Sequence, residues 1–301
     1  MSRILRLFDL SSYAHAGNVN KRAFLEGDIV KTQGGYREKN VPMGGISLLF
    51  NQIYAEYGKC DMLFCADRNP TIKKGMHDGY KSNRSYKNAI EIEKQVMEVV
   101  LEDCSLTVLS EDGYEADDFI YSSVQKFKNQ YDHIYVHVGD SDLYLLVSNN
   151  VSIAKTHSRT KEVTMDNYQH TEVDGRCNPY NMTSFLKVLD GDHSDCIPAM
   201  DRNEARFLLN TFNTEFYRVR MGDKNFIRST LEFIAPWAIP QFDLVYPLDT
   251  YVPDEFGAGD KERIKAWGYL MKNRLFGPTS LAREMKNNVV AEFMDAGLYI
   301  E

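Results

Sequence analysis

Ile134-Tyr-Val-His-Val138 is a short apolar, β-favouring run, and Gly139-Asp140-Ser-Asp142 follows it at once. Together they describe a strand that ends on a pair of carboxylates. Asp140 and Asp142 are two residues apart, so an extended tip points both the same way. The pattern recurs: residues 4–8 lead into Asp9, and residues 62–65 lead, through Ala66, into Asp67. A further apolar run covers 106–109. Helix candidates lie between these runs at about 46–57, 88–103 and 115–129. In the second of them Ile92, Val96, Val99 and Val100 make one apolar stripe. Strands alternating with helices predict an α/β fold, a mostly parallel central sheet flanked by helices. Asp9, Asp67 and Asp140 then fall at the carboxyl ends of strands, the edge where open α/β sheets bind ligands.

More acids gather downstream. Glu115, Asp117 and Asp118 open a helix candidate, whose positive end partly compensates their charge. Glu115 and Asp118 are three apart and share a face. Asp192 and Asp195 sit in a loop at 191–198 that can fold both side chains inward. Any one of these acids alone reads as a solvated surface residue; their joint placement carries the argument. So many carboxylates cannot share a pocket as free anions, because like charges raise each other's pKa. Divalent cations resolve the conflict, and an oxygen-rich set suits Mg²⁺ or Mn²⁺ rather than zinc. Two such ions about 4 Å apart can clamp a phosphodiester. His193, between two of the acids, reads as a solvated loop residue, and His133 and His137 as packing residues on one strand face.

The bulk properties allow this reading. The chain has 301 residues, 43% hydrophobic and 26% charged, as in ordinary soluble globular proteins. No stretch reaches the roughly 20 apolar residues of a membrane span. The N-terminal apolar run meets Asp9 too early for a signal-peptide core. Five cysteines, with no C-x-x-C pair, point to reduced thiols and a cytoplasmic setting rather than a disulfide framework or zinc cage. A net charge of −8 opposes nucleic-acid binding, yet the nine acids named above account for it and leave about +1 for the remainder. Residues 1–200 are expected to form the α/β core. Residues 201–301 are expected to be mainly helical, with helices at 203–220, 260–273 and 279–296 and a proline-containing connection at 235–253.

Residues 68–87 hold six basic residues against one acid, with tyrosines interleaved. Such a segment can follow a single strand, its cations on phosphates and its aromatics on bases. Lys73, Lys74, Tyr80 and Lys87 are the candidate contacts; the bland alternative is a solvated basic loop. The Gly44-Gly45 pair permits either a turn or a close backbone approach to substrate.

Here the chain resembles the flap-endonuclease (5′ nuclease) superfamily. Gly113-Tyr-Glu-Ala-Asp-Asp-Phe-Ile120 is similar to its Y-x-A-D-D signature, Val138-Gly-Asp-Ser-Asp-Leu143 to its S-G-D-x-D-L, and Lys187-Val-Leu-Asp-Gly-Asp-His-Ser-Asp-Cys-Ile-Pro198 to its A-L-x-G-D-x-S-D-N-I-P. The motifs occur in the family's order over residues 4–200. The size and the run at 290–297 resemble the compact phage ribonuclease H type. The resemblance implies a PIN-like core with an arch over the active site at 68–87. It also implies that Asp9, Asp67, Glu115 and Asp117 serve one ion, with Asp118 nearby, while Asp140, Asp142, Asp192 and Asp195 serve the other. Tyr80-Lys-Ser-Asn-Arg84 matches the family's Y-K-x-N-R, which implies that Lys81 and Arg84 meet the scissile phosphate.

Two departures stand out. The family's glycine-rich turn after I-P, which holds duplex phosphates around a potassium ion, is replaced by Ala199-Met-Asp-Arg-Asn-Glu-Ala-Arg-Phe207. Arg202, Arg206, Arg218 and Arg220 are candidates for that grip. Cys196 stands where the family commonly has asparagine. The resemblance thus implies a two-metal 5′→3′ exonuclease and flap endonuclease acting on RNA/DNA and DNA/DNA duplexes with free 5′ ends, such as RNA primers. A single-stranded-DNA-binding protein or clamp is a further expected partner, and a membrane is not. The alternatives are a catalytically weak junction-binding protein and a Mg²⁺-dependent phosphatase using the Asp140-Ser-Asp142 pair.

Overall fold

The computed structural model describes residues 2–19, 24–32, 35–83, 88–156, 162–167, 172–173, 176–177, 182–218, 220–273 and 280–295. Along the chain run β1 (Ile4–Asp9), α1 (Leu10–Val19), β2 (Phe24–Thr32), β3 (Gly35–Pro42), α2 (Gly44–Glu56), β4 (Asp61–Cys65), α3 (Thr71–Met76), α4 (Asn88–Asp103) and β5 (Val108–Leu109). Next come α5 (Ala116–Phe127), β6 (His133–Val138), a 3-10 turn at Asp142–Leu146, β7 (Val151–Lys155), β8 (Glu162–Val163), β9 (Glu172–Val173), β10 (Arg176–Cys177) and α6 (Thr183–Asp190). Helices fill the rest: α7 (Arg202–Phe212), α8 (Glu215–Arg218), α9 (Lys224–Ile234), a 3-10 turn at Pro236–Ala238, α10 (Ile239–Val245), α11 (Lys261–Asn273) and α12 (Ser280–Asp295).

These elements form two compact units, each assembled from separate stretches. One takes Asp67–Ser85 and Ser110–Val252 with Met1–Ser2; the other takes Arg3–Ala66, Tyr86–Leu109 and Pro253–Glu301. The stretch from 201 onward, helical as expected apart from its connections, is therefore shared between the two units.

In the second of these units β4 lies between β5 and β1, in the order β5-β4-β1, with both pairings parallel. Leu5, Leu7 and Phe8 are fully buried, and Phe8 stacks on Phe64 of β4 at 4.9 Å. Helices α1, α2, α4, α11 and α12 contribute to the same core, with Trp267 buried at its heart. The Trp267 indole keeps its one donor satisfied by Asp103 Oδ2 at 2.9 Å. A Cβ on Gly45 would stand 2.5 Å from the Tyr13 carbonyl. The close approach this glycine permits is that of α2 to α1.

In the first unit β6 pairs with β7 in parallel, Ile134 opposite Val151 through Val138 opposite Lys155, and β7 pairs with β8 antiparallel. The architecture is a mostly parallel set of strands flanked by helices. Two readings of the sequence change. The helix expected at 203–220 is two helices, α7 and α8, and the connection at 235–253 contains α10. Pro236 and Pro240 occupy first-turn positions of their helices, where a missing N–H costs nothing, so they start helices instead of breaking them. Among the described residues no helix is long and apolar enough to cross a membrane.

Candidate metal centre

Strand β6 ends at Val138, and Gly139 passes the chain to Asp140 and Asp142. Asp142 opens a 3-10 turn, and its N–H donates to Asp140 Oδ1 at 3.3 Å. Helix α5 supplies Asp117 from its first turn. Helix α6 ends at Gly191, whose φ of 76° reverses the chain into the acidic loop. Asp192 and Ile197 exchange backbone hydrogen bonds at 2.9 Å, which closes the loop and keeps Asp192 and Asp195 on it.

Two groups of carboxylates result. Ligand atoms of Asp117, Asp140 and Asp142 lie within 4.8 Å of one another, and so do those of Asp142, Asp192 and Asp195. Asp142 belongs to both. Each group offers carboxylate oxygens alone, a donor set that fits a hard divalent cation. The resemblance assigns Asp117 to the ion of Asp9, Asp67 and Glu115; here its carboxylate also lies with those of Asp140 and Asp142. In the first turn of α5, Asp117 lies beside Asp140, which follows β6.

The charge of the pocket is partly balanced by lysines. Lys187, near the end of α6, places its ammonium 2.5 Å from Asp142 Oδ1 and 2.6 Å from Asp192 Oδ2. Burial alone would lower its pKa; Asp142 and Asp192 outweigh burial and raise it. Asp192 is opposed by burial too, but hydrogen bonds from Lys187 and Ser194 hold it below the usual carboxylate range. Asp140 is exposed, yet the neighbouring protein limits its hydration. That desolvation, followed by the charge of Asp142, pushes its carboxyl up to about 7 against a weaker pull from Lys187 and Lys81.

A second cluster adjoins the first. Glu115 caps α5, and its N–H donates to Asp118 Oδ2 at 2.9 Å. Its carboxylate meets the Lys73 ammonium at 2.9 Å, the Lys81 ammonium and the Tyr80 hydroxyl at 2.8 Å. Burial would raise the Glu115 pKa, but the two lysines hold it well below the ordinary value. Asp118 is fully buried and accepts from the Leu248 N–H at 2.6 Å; burial raises its pKa despite Lys73. Asp67 Oδ1 accepts from the Ala116 N–H at 2.8 Å, at the positive end of α5. Asp9 belongs to the other compact unit, where it caps α1 by accepting from the N–H groups of Ser11 at 2.9 Å and Ser12 at 3.2 Å.

The basic segment is tied to the acidic loop. The Lys81 N–H donates to the Asp195 carbonyl at 2.9 Å, Asn83 Nδ2 to the His193 carbonyl at 3.2 Å, and His77 Nε2 lies 3.2 Å from the Cys196 carbonyl. The Lys81 ammonium also stands 3.7 Å from Asp195 Oδ2. Lys73 and Tyr80, expected to face nucleic acid, are only 4% and 2% exposed. A buried cation and a buried hydroxyl need partners, and Glu115 supplies both. Lys74 stays near the surface and donates to Asn69 Oδ1 at 2.6 Å. Arg84 and Lys87 lie outside the described residues. Sequence reasoning missed Lys187. The available signal was a single base five residues before Asp192, within the motif that carries the last acid pair.

A family model described as "5'-3' exonuclease, N-terminal resolvase-like domain" matches residues 15–176. DNA polymerase I of Caldicellulosiruptor bescii is 28% identical over 204 residues, covering 64% of this chain and 24% of that protein. The 5'-3' exonuclease of Buchnera aphidicola subsp. Schizaphis graminum is 30% identical over 141 residues, 44% of this chain and 46% of its own. The chain thus spans less than half the length of either relative. Among solved structures, the T5 D15 protein co-crystallised with metal ions has a TM-score of 0.53 at 15% identity, over 96% of this chain and 99% of that one. A T5 flap endonuclease in a pseudo-enzyme–product complex with DNA and metal ions has a TM-score of 0.51 at the same 15% identity, over 96% of this chain and 100% of that one. At that identity the likeness speaks for the fold.

Proposed function

This chain belongs to the 5'-3' exonuclease family, and from that premise we propose that it is a divalent-metal-dependent 5′→3′ exonuclease and flap endonuclease. Its substrates are RNA/DNA and DNA/DNA duplexes with a free 5′ end, including RNA primers. One observation carries the reading: two carboxylate groups share Asp142. Asp117, Asp140 and Asp142 would hold one Mg²⁺ or Mn²⁺ ion, and Asp142, Asp192 and Asp195 the other. When bound, the ions supply Lewis acidity, lowering the pKa of water and countering charge on the phosphodiester.

The chain's own residues do the positioning. Asp142, common to both groups, fixes their separation. The segment from Asp67 to Asn83, hung on the acidic loop, forms the base of an arch that guides the strand. Lys81, beside Asp195, meets the scissile phosphate together with Arg84, and both cations gain as negative charge develops there. Water adds to phosphorus, the bond to the 3′ oxygen breaks, and the proton lost by water is balanced by the one gained by the leaving oxygen. Arg202, Arg206, Arg218 and Arg220 contribute to duplex binding, and residues 200–301 are where a single-stranded-DNA-binding protein or clamp docks.

The test is incubation with a 5′-labelled flap and a nicked duplex, first with Mg²⁺ and then with EDTA. The reading requires metal-dependent cleavage near the 5′ end. Release of inorganic phosphate alone would favour a phosphatase, and binding without cleavage in Mg²⁺ would favour a junction-binding protein.

A further inference from the structure

The Lys187 ammonium occupies oxygens that the metal reading needs. Its partners, Asp142 Oδ1 at 2.5 Å and Asp192 Oδ2 at 2.6 Å, come from two of the three carboxylates in the second group. A monovalent cation therefore already joins those two side chains. The bridge thus occupies two ligands of the second group, Asp142 and Asp192, and one of the first, the shared Asp142.

We propose that Lys187 is a displaceable internal cation of the second group. It holds Asp142 and Asp192 together while that group lacks an ion, and it leaves when a divalent ion enters. The inference rests on the two-metal reading above. An ammonium and a divalent ion compete for the same oxygens and repel at contact distance. The lysine stem has four rotatable carbons, so the head can withdraw while α6 stays in place. Phe185, Val188 and Leu189 of α6 are buried and anchor the helix independently of the ammonium. The consequence is ordered loading. The Asp117, Asp140 and Asp142 group fills first, and the Asp142, Asp192 and Asp195 group fills at higher ion concentration. Lys187 is a positioning residue in this scheme, acting through the two aspartates.

Two measurements on the full chain test it, neither of them an activity assay. In the first, lysine acetylation is followed by peptide mass spectrometry in EDTA and in saturating Mn²⁺ at equal ionic strength. Lys187 should react several-fold faster with Mn²⁺, while Lys73, whose partners lie outside both groups, should not change. In the second, Mn²⁺ binding is titrated calorimetrically for wild type, Lys187→Met and Lys73→Met. Lys187→Met should tighten the second binding step by about tenfold and the first far less. Lys73→Met, which removes the same charge elsewhere, should not separate the steps in this way. Two ions bound with Lys187 still slow to react would overturn the proposal and leave the metal reading intact. Equal tightening of both steps by both variants would also overturn it, as a general charge effect. Failure of wild type to bind Mn²⁺ at all would sink the metal reading and the proposal together.

Discussion

The Tyr80 hydroxyl donates to Glu115 Oε2 at 2.8 Å, and the Lys73 ammonium reaches the same oxygen at 2.9 Å. Both donors come from the basic segment, and the acceptor caps α5. The contact converts part of a segment that reads as a nucleic-acid contact into a support for the helix that presents Asp117. Tyr80 also packs against Ile197 and Leu244, so its ring is buried on the apolar side as well.

Tyr80→Phe should therefore destabilise the protein by about 1–2 kcal/mol, because it leaves a buried carboxylate short of one donor. Lys73→Met should cost more, about 3 kcal/mol, since Glu115 then keeps only Lys81 as a cationic partner. Urea denaturation in EDTA measures both. If Tyr80 acted only as a stacking surface for bases, Phe would match wild type in stability.

The α/β alternation was legible because apolar strands that end on aspartate leave two signals at once, periodicity and charge. Asp140 and Asp142 were legible for the same reason, whereas Asp192 and Asp195, which follow helix α6, were legible as a pair in a short loop. The sharing of Asp142 was not, because it depends on the 3-10 turn that follows β6 and on the direction in which α5 starts. Lys73 illustrates a general limit. A run of basic residues reads the same whether each cation is solvated or paired with an acid such as Glu115, distant in sequence. Helix α10 was missed because a proline in a first turn looks, in sequence, like a proline that breaks a helix.

The acidic loop holds two residues in the left-handed region, Gly191 with φ of 76° and Cys196 with φ of 58°. Asparagine tolerates that conformation better than cysteine, so Cys196→Asn should stabilise the protein by about 0.5–1 kcal/mol. Gly191→Ala should do the opposite and cost more than that, since its Cβ would stand 2.6 Å from both the Ala199 nitrogen and the Ile197 carbonyl. Midpoints of urea unfolding at constant slope would show the two shifts in opposite directions.

The shared position of Asp142 predicts an asymmetry among single substitutions. Asp142→Asn should weaken both ion-binding steps, Asp117→Asn mainly the first and Asp192→Asn mainly the second, as read by Mn²⁺ calorimetry. Turnover of a 5′ flap should fall by about 10²–10³ or more in each, because charge stabilisation of the transition state is lost. Equal effects of all three on both steps would mean that the carboxylates form one diffuse anionic patch.

Asp140 supplies a pH-dependent test in the absence of metal. Its carboxyl is raised from an ordinary value of 3.8 to about 7, by desolvation first and by Asp142 second. The folded state thus holds this proton more tightly than the unfolded chain does. Metal-free stability must fall as pH rises from about 4 to about 7, and the full penalty is present only above that window. Asp140→Asn removes the ionisation. Solvent reaching Asp140 screens the penalty, so about 1 kcal/mol is the fair expectation rather than the whole shift. At pH 8 in EDTA the variant should melt about 2–4 °C above wild type. At pH 4 the two should coincide. Added Mg²⁺ at pH 8 should reverse the order, since wild type gains from an ion that the variant binds poorly. An advantage for Asp140→Asn that persisted unchanged at pH 4 would trace to packing, and Asp140 would not be a strained anion of the pocket.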